Sequence, residues 1–166
     1  MATSTDRIID SFVSKLQSRG VRVEKADNSA RFETLEAGLP KRLPQSFESF
    51  LLRYSFPPFD AGGIAFFGWE SDASELFHVL PPNEGSLSEL LLPAGYVQIG
   101  RPDTGNFDAI CFDLNAAKQN RECRIVRADH EEILCNFRVT ITGELWPSFT
   151  NLLEFCDIDS IVPESD

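Results

Sequence analysis

A chain of 166 residues, 42% hydrophobic and 25% charged, fits one globular domain with a single sizeable core. Its 26 Asp and Glu against 15 Lys and Arg leave a net charge of −11, and such a surface repels phosphate backbones. Composition therefore argues against direct nucleic-acid binding and favours a basic protein partner, although acidity also serves plain solubility. Fourteen Phe against two Tyr and two Trp point to an aromatic-rich core.

The first twenty residues carry polar side chains every few positions and no apolar core of signal-peptide length. No run reaches membrane-spanning length, so a cytoplasmic protein with no membrane partner is expected. A helix opens the chain, with Ile9, Phe12, Val13 and Leu16 at i, i+3, i+4 and i+7, Ser4 or Thr5 as its cap and Gly20 at its end. Residues 21–23 read as a short strand or a linker, and 26–30 as a loop. A shorter helix is predicted over 30–37, with Phe32, Leu35 and Leu39 to one side and Gly38 closing it. The clearest helix holds Leu43, Phe47, Phe50, Leu51 and Tyr54 on one face, takes Pro44 in its first turn and ends at Pro57-Pro58.

Residues 64–69 (IAFFGW) follow Gly62-Gly63 as a strand, with 76–80 as a possible partner, 81–85 as a loop and 87–92 as a helical turn closed by Pro93. The stretch 95–132 organises the rest: strands at 96–99, 107–114 and 123–128 are joined by turn-rich connections into an antiparallel meander. The unbroken run Ala109, Ile110, Cys111, Phe112 predicts a strand covered on both faces. Residues 133–142 read either as a strand, with Phe137, Val139 and Ile141 alternating, or as an extended lead-in. A last helix spans 147–156, and 157–166 is an acidic tail that Ile158, Ile161 and Val162 could tether. Helices first, then strands, then a closing helix predict one α+β domain over 1–166 with a mostly antiparallel sheet. Eight side chains are expected to share its core: Phe47, Phe50, Leu51, Ile110, Phe112, Ile125, Phe149 and Leu153.

The order of motifs resembles the SUKH superfamily, the SMI/KNR-like family of fungal cell-wall regulators and bacterial toxin-immunity proteins. Leu43-Pro44 followed by Phe47, Phe50-Leu51 and Tyr54 resembles its LP-x-x-[F/Y]-x-x-[F/L]-L helix, and Glu36 lies eight residues before Pro44 as family glutamates do. Gly100, Asp103, Gly105, Asn106, Ile110 and Asp113 resemble its strand-turn-strand. Asp129-His130-Glu131 and the segment from Ser148-Phe149 to Leu153 complete a match spanning about 31–155. The chain departs from the pattern at Tyr54-Ser55-Phe56-Pro57-Pro58, where Asn-Gly is usual, and at Asn106, where Asp is favoured. The resemblance implies a sheet packed by N-terminal helices and a closing helix. It also implies a non-enzymatic role, neutralising a toxin domain, such as a nuclease, by occlusion; no cofactor is expected, and no bound metal, since ligand spacing is lacking and His is scarce. A regulatory scaffold of the cell-wall type is the alternative.

Catalytic readings are weaker. Gly100 and Gly105 lack the Gly-Lys-Ser/Thr of a phosphate loop, and a turn needing positive φ at Gly105 explains them. Asp129-His130-Glu131-Glu132 suggests a metal site or an enzyme centred on His130, but there are two His in all and no H-E-x-x-H. Asp108 and Asp113 form a carboxylate pair of the glycosidase kind, with nothing else to support it. Cys111, Cys123, Cys135 and Cys156 include no C-x-x-C, and Cys123, between Glu122 and Arg124, is the candidate for an activated thiol. The candidate partner face takes Asp60, Glu70, Asp72 and Glu75 around the IAFFGW strand, Asp103, Asp108, Glu131 and Glu132 around the meander, and Trp69 and Tyr96 as aromatic anchors.

Overall fold

The computed structural model describes residues 3–70 and 87–163; the expected strand at 76–80, the loop at 81–85, Asp72 and Glu75 lie outside them. Helix α1 (Ser4–Ser18) takes Thr3 as its cap, one residue before the predicted ones, and Thr3 and Asp6 close a reciprocal capping box. Its face of Ile9, Phe12, Val13 and Leu16 is buried as the spacing requires. Strand β1 is Glu24–Lys25, just beyond the stretch read as strand or linker, and α2 is Ser29–Ala37. Helix α3 (Gln45–Arg53) follows Pro44 but stops well before Pro57-Pro58. Tyr54 turns extended and, with Ser55, forms β2 against β1. Buried Asn28 explains the early stop: its Nδ2 donates to Leu51 O and Tyr54 O at 2.9 Å each, taking carbonyls the helix end leaves unsatisfied.

Strands β3 (Phe59–Ala61) and β4 (Ile64–Phe66) form a hairpin across Gly62 and Gly63, both at positive φ as a tight two-residue turn demands. Trp69 lies past β4 and makes a separate bridge with Phe56. After the short helix α4 (Ser88–Leu91) comes the predicted meander: β5 (Tyr96–Pro102), β6 (Ala109–Asp113) and β7 (Ile125–Ala128). Helix α5 (His130–Asn136) replaces the strand or lead-in expected from residue 133, β8 (Ile141–Trp146) follows, and α6 (Phe149–Phe155) is capped by Ser148. The tail is tethered by Ile161, which is buried, and by β9 (Val162–Pro163) on the edge of β3.

Seven strands thus make one antiparallel sheet in the order β8-β7-β6-β5-β4-β3-β9, an α+β fold as predicted. One face carries large side chains, Phe66, Ile110, Phe112 and Ile125, which pack with Phe12, Phe47, Phe50 and Phe149 from α1, α3 and α6. The other carries small ones, Ala109, Cys111, Val126 and Ala128, closed by Leu91 of α4 and Ile133 of α5. Strand β6 is buried along its whole length, as its unbroken apolar run requires. A bulge between Gln98 and Gly100 shifts the register of β5, and a Cβ at Gly100 would collide with the carbonyl oxygen of Ala65.

All eight predicted core side chains lie in the larger cluster. Phe50 stacks on Phe56 at 4.5 Å between ring centroids and lies 6.0 Å from Phe149. Phe50→Ala should therefore cost about 3–5 kcal/mol, read as a lowered urea midpoint with an unchanged slope.

Candidate functional site

The candidate site is built where the β5–β6 turn meets the start of α5. Gly105, at φ 87°, reverses the turn, and Asn106 Oδ1 accepts the Asp108 N–H at 2.7 Å. That geometry sends Phe107 outward, 63% exposed, rather than into the strand where the sequence placed it. Across from it Asp129 caps α5, its Oδ1 accepting the N–H groups of Glu131 and Glu132. The acidic run that suggested a metal site or an enzyme centred on His130 is the first turn of a helix, where carboxylates are favoured.

Asp108 fastens the two pieces together. Its Oδ1 accepts the His130 backbone N–H at 3.0 Å and the His130 Nδ1–H at 2.5 Å, and its Oδ2 accepts Arg127 Nε–H at 2.6 Å. Burial alone would raise its pKa, but hydrogen bonds from the His130 ring and backbone and from Arg127 outweigh it. The carboxyl is held below the usual carboxylate range. Asp108 is thus buried and committed to a structural pairing, which corrects its assignment to a partner face.

Asp108, Asp129 and His130 do bring ligand-type atoms within 4.8 Å of one another. The donor set does not suit a cation, since both Asp108 oxygens already accept hydrogen bonds and the Arg127 guanidinium occupies one side. Nor does the His–Asp pair make a nucleophile dyad: among the described residues no hydroxyl or thiol is hydrogen-bonded to His130. Asp108 and Asp113 bracket β6 from opposite ends, roughly 17 Å of extended chain apart, whereas glycosidase carboxylates stand about 5–9.5 Å apart. Each is instead paired with a separate arginine, Asp108 with Arg127 of β7 and Asp113 with Arg124, just before β7, at 2.9 Å.

Of the two predicted aromatic anchors, one is buried and one half-buried. Trp69 has no exposed area; its Nε1–H donates to Leu51 O at 2.9 Å and Arg31 stacks on its ring, so it is a core residue and not a surface anchor. Tyr96 is half-buried against the small-residue face, and burial, then the charge of Asp113, raises its pKa. Asp60 lies on β3 and Glu70 after Trp69; Asp103 donates its backbone N–H to Gly63 O at 3.2 Å, beside the β3–β4 turn, and Glu131 and Glu132 are in the first turn of α5. Asp103 and Glu131 are exposed. Sequence reading missed Phe107, Leu134 and Phe137, all large, apolar and exposed. The available signal was the i, i+4, i+7 spacing of His130, Leu134 and Phe137, hidden while the segment was read as extended.

Cys123 is buried too, and burial first, then the charges of Glu122 and Asp113, pushes its thiol up to about 12, the reverse of activation. Cys135, on α5, is the exposed thiol of the four. Compared with known proteins, the chain matches no family model and no curated protein. The resemblance to SUKH domains thus rests on the residues of the chain itself.

Two outcomes follow from this geometry. A disulfide reagent should modify one thiol rapidly in the native protein and all four once unfolded, and Cys135→Ser should remove the fast one. Asp108, with its folded pKa depressed, contributes stability that is present above the unfolded carboxylate value near 3.9 and lost as pH falls through the folded one. Asp108→Asn should cost roughly 2 kcal/mol at neutral pH and flatten the acid limb of a stability-against-pH curve.

Proposed function

We propose that this chain is a non-enzymatic protein-binding domain that neutralises a basic toxin domain, of the nuclease type, by covering it with an acidic face, as the SUKH resemblance implies. The observation that carries the reading is how charge is distributed. Arg53, Arg121, Arg124 and Arg127 are compensated within the fold, by Asp6 and Asp10, Glu48, Asp113 and Asp108 respectively. Asp103 and Glu131 remain exposed on a chain of net −11. A nuclease needs a basic channel for its phosphate backbone, and an acidic cover meets that channel with opposite charge. Occlusion requires no catalytic group, in keeping with an Asp108–His130 pair whose hydrogen bonds hold the helix to the turn.

Low-salt affinity capture from the native organism identifies the partner, and stopped-flow association then tests the reading. Association should be fast at low ionic strength and slow as salt shortens the Debye length to about 8 Å. Asp103→Lys with Glu131→Lys should lower the on-rate several-fold and remove part of the salt dependence while Tm stays nearly unchanged. A partner whose affinity ignores both salt and these reversals would reduce the acidic surface to a solubility device.

A further inference from the structure

We draw no further inference here: the strongest candidate, the outer edge of β8 at one end of the strand order, where Thr142, Gly143 and Glu144 are exposed, is a surface for which nothing in the structure shows what covers it.

Discussion

Phenylalanine rings in mutual contact hold this fold together. Phe47 meets Phe112 at 4.9 Å and Phe149 at 5.1 Å, both edge to face, and Phe50 stacks on Phe56. Phe59 stacks on Phe66 at 5.0 Å and touches Phe12 at 6.3 Å. Through these rings α1, α3 and α6 are joined to β3, β4 and β6, elements far apart in the chain. Area burial and preferred ring geometry act together here, and each ring fixes its neighbours' orientation. The single large aromatic cluster explains why two-residue strands such as β2 and β9 are stable: they are attached to a packed layer and need little cohesion of their own.

The second face obeys the opposite constraint. Alanine, cysteine and valine leave room for short helices to lie close to the sheet, so α4 and α5 bury mainly Leu91 and Ile133. A helix of two turns held by so little apolar area needs other ties, and α5 has them in Asp108, which grips its first residue, and Asp129, which caps it. The same ties leave its outer side bare. The exposed stripe is thus a consequence of how the helix is attached: tethered at its start and resting on one isoleucine, it has a full face to spare.

Legibility in the sequence tracked how many neighbours decide a residue's state. The α1 and α3 faces, the fully covered β6 and the eight core positions could be read because periodicity and burial agree there. Chain ends of elements were misplaced where a distant side chain intervenes, as Asn28 does for α3. Helix α5 was misread because Phe137, Val139 and Ile141 alternate like a strand, while the cap that starts the helix, Asp129, looked like part of an acidic run. Trp69 was undecidable from sequence, since an aromatic after a strand suits a core and a surface equally; its hydrogen bond to Leu51 O settles it. Asp108 and Asp113 looked like a pair, and only the strand between them shows that they are two separate pairs.

The positions by which the chain resembles SUKH domains nearly all have a structural task. Gly100 permits close approach of β4, Gly105 takes the positive φ of the turn, and Asn106 caps that turn. Asp113 holds Arg124, Asp129 and Ser148 start helices, Glu36 pairs with Arg42, and Ile110, Phe149 and Leu153 fill the core. Residues with such tasks specify how the chain folds and say nothing about what it meets, because any protein with this architecture needs them. Recognition must be written in positions the architecture leaves free. Phe107, Leu134 and Phe137 are of that kind: removing any of them would cost the core nothing, and one of them sits where the backbone would prefer glycine. A motif that identifies a fold and a surface that recognises a partner are therefore expected to occupy different residues.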